Sequence, residues 1–201
     1  MSEPSERVAE AAVVLCGGFS RRMGREKWSL PFGDENLLER TVRIVGGVVS
    51  EVVVVAREGQ DVDGPFRFAR DPAEGLGPLA GLVAGLEATD AERVFLISCD
   101  SPFLAPALVR RLLDLSRGFE IVMPMIAGFQ MSTTAVYSKA VLPTARALIA
   151  ERRLRPVFLA EPHSIREVTE AELRDVDPEL ASFQGCNTPE EYERALLELG
   201  D

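Results

Sequence analysis

Runs of branched apolar residues recur along this 201-residue chain, and stretches with helical spacing separate them. That alternation constrains the fold more than any other feature. "AAVVLC" (11–16) and "SEVVVVA" (50–56) are apolar on both faces, as strands inside a parallel sheet are. "RVFLISC" (93–99) reads the same way, "FRFAR" (66–70) is shorter, and "FEIVMPM" (119–125) and "MSTTAVY" (131–137) complete the strands. Helical periodicity marks 36–47, 78–88, 105–116, 140–151 and 189–199. Asn187 or Thr188 caps the last of these, and Pro189 suits its first turn. Strand and helix in alternation predict an α/β protein, a three-layer sandwich around a mostly parallel central sheet. The reading is one domain over 10–201 behind a polar tail, 1–9, with turn-rich stretches at 59–65 and 175–185.

Charge and composition narrow the function. A net charge of −10 argues against nucleic acid, which calls for a basic face. No apolar run is long enough for a membrane span, and the N-terminus lacks a signal-peptide core, so the expected location is the cytoplasm. The three cysteines, Cys16, Cys99 and Cys186, are odd in number and far apart, which speaks against a disulfide framework or structural zinc. The one histidine, His163, lies outside every motif below, so a loop or strand-edge role is expected of it.

Open α/β sheets take ligands at the carboxyl ends of their strands. That rule gathers four segments: the loop after Leu15, "ARDPAEGLGPLAGL" (69–82), "CDSPF" (99–103) and "GCNTPE" (185–190). The first, "LCGGFSRRMGREK" (15–27), sets Arg21, Arg22, Arg25 and Lys27 among Gly17, Gly18 and Gly24. Glycine turns free backbone N–H groups to meet phosphate oxygens, and the basic side chains add charge. A solvated turn with surface arginines is the plainer reading, but a basic cluster in an acidic chain favours an anion site. The glycines of "GLGPLAGL" suit either close approach of a ligand to a helix start or helix–sheet packing, and both readings stand. Asp100, directly after a strand, is placed to bind Mg²⁺ together with substrate phosphates. The alternative, a cap for the helix at 105–116, would put it early in the loop.

Together "LCGGFSRRMGREK", "GPLAGL", "CDSP" and "NTPEEY" resemble the molybdenum cofactor guanylyltransferases, within the sugar-phosphate-type nucleotidyltransferases. The resemblance runs from residue 11 to about 196, with the motifs in order. It implies a Rossmann-like α/β/α sandwich and transfer of GMP from GTP to a molybdopterin-type cofactor with release of pyrophosphate. By the same resemblance Leu15, Cys16, Gly17 and Gly18 form the nucleotide loop, with Arg22 and Lys27 acting on the phosphates. Asp71, Gly77, Pro78 and Leu79 contact the nucleotide. Asp100 binds Mg²⁺, and Asn187 lies near the metal or the phosphates. GTP, the molybdopterin-type cofactor and downstream insertion proteins or molybdoenzymes are the implied partners, and a monomer is expected.

The chain departs from the family pattern at three places. Val55 stands where some members have asparagine, Gly185 replaces the first asparagine before "TPE", and Met131 follows Gln130 where proline is common. These departures bear on guanine and pterin contacts more than on phosphate chemistry. A pterin phosphate monoester, with a second pKa of about 6, is already a nucleophilic dianion and needs no general base. That agrees with a histidine outside the motifs. The rivals are a cytidylyltransferase for the same cofactor and a non-catalytic nucleotide or cofactor carrier.

Overall fold

The computed structural model describes residues 8–17, 26–60, 62–71 and 76–200. Its strands are β1 (Val8–Leu15), β2 (Pro31–Phe32), β3 (Glu35–Asn36), β4 (Val49–Ala56), β5 (Arg67–Arg70), β6 (Arg93–Ser98), β7 (Ile121–Ile126), β8 (Phe129–Gln130), β9 (Ala135–Ser138) and β10 (Ile165–Thr169). Its helices are α1 (Leu37–Gly46), α2 (Gly77–Glu87), α3 (Pro106–Asp114), α4 (Leu142–Ala150), α5 (Glu170–Leu173) and α6 (Pro189–Gly200). The main sheet runs in the order β10-β7-β9-β6-β1-β4-β5, with β8 paired to β7. β1 is parallel to both β4 and β6, β4 to β5, and β7 to β10. The expected α/β sandwich with a mostly parallel sheet is the architecture observed.

Alternation along β1 divides the core. Ala12 and Val14 face a cluster completed by Leu38, Val42 and Val45 of α1 and Leu108 and Leu112 of α3. Ala11 and Val13 face the opposite cluster, with Leu79, Leu82 and Leu86 of α2 and Leu148 of α4. Successive side chains of a strand point to opposite faces, so a run of small and branched residues buries both. A capping box starts α1: Asn36 Oδ1 accepts from the Glu39 N–H, and Glu39 Oε2 accepts from the Asn36 N–H. α6 docks as a satellite, with Ala195 packed among Leu30, Phe32, Leu37 and Cys186.

The strand expected at 131–137 is shorter and starts later. Residues 131–134 form a turn in which the Thr134 N–H donates to the Met131 carbonyl, and β9 begins only at Ala135. β9 is antiparallel to both β6 and β7, and it interrupts the parallel run. β8 and β10 were not expected. β8 is two residues long, and β10, "IREVT", is an edge strand whose exposed polar positions weaken its apolar signal.

Candidate active site

The cleft lies where the resemblance and the strand-end rule place it. It has a volume of about 490 Å³ and opens over the carboxyl ends of β6, β1, β4 and β5. Gly17, Asp71, Asp100 and Asn187 all line it. A larger groove of about 780 Å³ runs between α1 and residues 62–66, and includes none of these residues. Volume alone is therefore a poor guide to the chemistry.

Lys27 joins two of the residues that line the cleft. Its Nζ donates to Asp100 Oδ2 at 2.8 Å and to Asn187 Oδ1 at 2.9 Å. The lysine and aspartate side chains are 18% and 15% exposed, so the pair is shielded from water without being sealed from it. Lys27 starts a short 3₁₀ turn that follows the glycine loop, Asp100 lies two residues past the end of β6, and Asn187 lies two residues before the start of α6. Three motifs remote in sequence meet at one ammonium.

Each partner is held from behind. The Cys99 N–H donates to the Leu15 carbonyl, continuing the parallel ladder to the residue before Asp100. Arg40 Nε donates to the Pro102 carbonyl at 2.6 Å and ties α1 to the "CDSP" loop. The Asp100 carbonyl accepts from the Cys186 N–H at 2.8 Å, which seats the 185–187 segment on that same loop. Asp100 is not the cap of α3. Ala105 occupies the cap position, and its N–H donates to Ser182 Oγ.

Of the two cap candidates for α6, Thr188 does the capping. Its Oγ1 accepts from the Glu191 N–H, and Glu191 Oε2 accepts from the N–H groups of Asn187 and Thr188. That leaves the Asn187 side chain for Lys27. Gly185 makes the room: a Cβ there would fall 2.8 Å from Asn187 Nδ2. The glycine that departs from the family pattern therefore sits against the asparagine that keeps it.

Glycines of "GPLAGL" divide between the two readings given to them. Gly77 has φ +67°, a left-handed conformation that favours glycine, and with Pro78 it lines the cleft. Gly81 serves packing as well as lining the cleft, and Gly85, beyond the motif, serves packing, since a Cβ at either would fall within 2.6 Å of Leu15 or Val13 side-chain atoms. Leu79 is fully buried in the core cluster beneath α2, so its side chain is not part of the cleft wall.

At the other end, the Asp71 N–H donates to the Ala56 carbonyl, and Asp71 lines the cleft beside Val55 and Arg57. Arg57 Nη2 donates to Glu26 Oε1 at 2.5 Å, and Glu26 also accepts from Gln60 Nε2 and Trp28 Nε1. Desolvation raises the Glu26 pKa, but hydrogen bonds from Gln60, Arg57 and Trp28 and the Arg57 charge outweigh it and hold the carboxyl below its ordinary value. Gly18 and Arg22 lie outside the described residues.

The three cysteines are buried and free. Cys16 Sγ donates to the Val55 carbonyl at 3.4 Å, so its thiol faces the sheet. Burial pushes the Cys16 thiol up to about 12 and Cys186 up to about 11, with Cys99 also well above its ordinary value. His163 precedes β10, whose first residue pairs with the first residue of β7, so it lies at the opposite edge of the sheet. There its Nδ1 lies 3.1 Å from Glu120 Oε1.

Several cleft residues carried no motif. Met131, Thr133 and Thr134 enter from the turn before β9, and Phe183 from the 3₁₀ turn at Ala181–Phe183. Arg57 follows β4 as Gly17 nearly follows β1, so the rule that found Asp100 would have found it.

Fold and cleft together define a three-layer α/β protein with a cleft at the carboxyl edge of a mostly parallel sheet. More narrowly, the chain belongs to the MobA-like NTP transferase domain family, whose model matches residues 12–165. A probable molybdenum cofactor guanylyltransferase from Methanosarcina mazei is 33% identical over 97% of this chain and 93% of the relative. The molybdenum cofactor guanylyltransferase of Desulfosudis oleivorans is 30% identical, over 93% of this chain and 94% of its own. In fold, the chain resembles molybdopterin-guanine dinucleotide biosynthesis protein A from Archaeoglobus fulgidus, with a TM-score of 0.83 at 23% identity over 94% of this chain and 98% of that one. A cytidylyltransferase for 2-C-methyl-D-erythritol 4-phosphate from Thermus thermophilus shares the fold at a TM-score of 0.74 and 19% identity, over 96% of this chain and all of the other.

Proposed function

We propose that this chain transfers GMP from GTP to a molybdopterin-type cofactor and releases pyrophosphate. The observation that carries the proposal is the meeting of Lys27, Asp100 and Asn187 at one end of a cleft that reaches Asp71 at the other. Relatives named molybdenum cofactor guanylyltransferase, similar along most of the chain, support the choice of substrates.

The residues fit Mg²⁺. Lys27 Nζ already stands as a cation between a carboxylate and an amide oxygen. One or two protein oxygens completed by phosphates are what this ion takes in nucleotide sites. Asp100 and Asn187 would hold it, and when bound it would neutralise charge on the triphosphate.

This chain's own residues do the rest. Lys27 has a flexible four-carbon stem, so its ammonium can follow the phosphates while staying near Asp100. An oxygen of the acceptor's phosphate dianion forms the new bond to the α-phosphorus as the bond to the bridging β-oxygen breaks. The electron pair leaves with pyrophosphate. No proton has to move, so no general base is required, and the one histidine lies at the far edge of the sheet. The work of the site is alignment and charge neutralisation. With the nucleotide over β1, β4 and β5, the acceptor belongs on the β9 side, against Thr133, Thr134 and Phe183.

The test is titration with GTP, CTP, ATP and UTP, with and without Mg²⁺, followed by pyrophosphate release on adding the cofactor. GTP should bind at least about tenfold more tightly than CTP, a difference of roughly 1.4 kcal/mol. A preference for CTP would replace the guanylyl assignment with the cytidylyl one. Nucleotide binding without pyrophosphate release would make the chain a carrier.

A further inference from the structure

We infer that Arg57 is a specificity-determining residue that reads the O6/N7 edge of the guanine base, next to Asp71, which accepts from N1–H and N2–H₂. The inference rests on the guanylyl reading above and adds a residue to which neither the motifs nor the family pattern pointed.

Strand order acts as a ruler along the cleft. Asp100 follows β6, Leu15 to Gly17 close β1, Arg57 follows β4 and Asp71 follows β5, and these strands are neighbours in that order. Neighbouring strands lie about 4.8 Å apart, so Arg57 and Asp71 stand roughly 10 and 14 Å from the strand that carries Asp100. That is about the reach from a β-phosphate to a purine ring in an extended nucleoside triphosphate. If the triphosphate meets Lys27 and Asp100, the base arrives between Arg57 and Asp71.

The two residues also leave their strands side by side. Val55 pairs with Ala69 and Ala56 with Arg70 in the parallel register, so Arg57 and Asp71 are the next rung. The Asp71 N–H donates to the Ala56 carbonyl at 2.9 Å and fixes that offset. Guanine offers two acceptors on one edge and a row of donors on the adjoining one. Arginine is a fork of donors only, and a carboxylate accepts only. Arginine on O6 and N7 is the pairing whose geometry fits best. Val55, 2% exposed, has no polar side-chain atom to take that part.

Arg57 is oriented for the role. Its Nη2 is fixed by Glu26, which Gln60 and Trp28 fix in turn, and the residue so held lines the cleft. A Cβ at Gly17 would fall 3.1 Å from the Arg57 backbone nitrogen, so the nucleotide loop and the Arg57 loop are already in close approach.

The experiment compares binding of GTP, 7-deaza-GTP (which lacks the N7 acceptor) and inosine triphosphate (which lacks the N2 amino group) to the full chain. Wild type should prefer GTP over each analogue by roughly tenfold. R57Q should bring the GTP to 7-deaza-GTP ratio close to one while the preference over inosine triphosphate survives, and D71N should do the reverse. R57K, which keeps the charge and loses the fork, guards against a folding defect in R57Q and should also flatten the first ratio. Equal binding of GTP and 7-deaza-GTP by wild type would overturn the inference without any variant. So would a uniform loss of all three ligands in R57Q, which would put Arg57 on the phosphates. Both results leave the guanylyl reading standing, whereas tighter binding of CTP than GTP by wild type removes that reading itself.

Discussion

Asn187 keeps its place over the Asp100 loop because residue 185 has no side chain: a Cβ on Gly185 would lie 2.8 Å from Asn187 Nδ2. Gly185→Ala should therefore push the amide away from Lys27 without touching the core. Activity should fall about as far as in Asn187→Ala, while the thermal midpoint changes little. Steady-state pyrophosphate release on the two variants makes the comparison. Full activity in Gly185→Ala would show that the asparagine has other room to move.

Lys27 and Asp100 should be needed for turnover and dispensable for folding. Lys27→Ala and Asp100→Asn should each lower the rate by about 10²–10³, the scale for loss of one electrostatic contact to a transition state. Neither side chain belongs to a core cluster, and Asp100 lines the cleft, so the fold should survive the loss of either. Circular dichroism melts beside rate measurements would separate the two effects. Wild-type turnover in both variants would place the chemistry elsewhere.

Gly85 tests the packing of α2 on β1. Alanine in a helix gains about 1 kcal/mol of propensity over glycine. Here its Cβ would meet Val13 side-chain atoms at 2.4 and 2.6 Å. Val13 is β-branched, fully buried and in a strand paired on both sides, so it has little freedom to turn aside. Overpacking costs about 1–3 kcal/mol and should win. Urea denaturation of Gly85→Ala should show a net loss of stability, and a gain would mean that helix and sheet can separate cheaply.

The cysteine thiols should react slowly until the protein unfolds. Cys16 is 4% exposed and its thiol is pushed up to about 12, so the thiolate is scarce at pH 8 to 9. A thiol whose pKa rises on folding adds stability that is complete below its unfolded value, near 9, and is lost as pH rises toward 12. Alkylation followed by peptide mapping should give low labelling of Cys16 at pH 8 with or without GTP, rising together with alkaline unfolding. Fast labelling of the native protein at pH 8 would contradict the burial of this thiol.

Periodicity and strand-end position made much of the architecture legible in advance. Branched runs such as "SEVVVVA" bury on both faces only within a covered parallel sheet, and that local requirement is written residue by residue. Asp71, Asp100 and Gly17 were legible as site residues for a related reason. Each follows a strand closely, and strands of a parallel sheet end on one edge.

Strand order, register and approach belong to the tertiary structure alone. No periodicity says that β9 runs against β6 and β7, because direction depends on which neighbours complete the sheet. Residues 131–134 read as strand by composition, yet they turn over the cleft because the paired part of β9 starts at Ala135. Lys27 reaches Asp100 across 73 residues and Asn187 across 160, a meeting fixed by how β1, β6 and α6 pack. Arg57 stands beside Asp71 for the same kind of reason, the register of β4 on β5. Local spacing along the chain is enough to mark most strands and helices and to bring the motifs to the carboxyl edge. Which side chains meet there was decided by long-range pairing, where one register among many buries the apolar faces and satisfies the backbone at once.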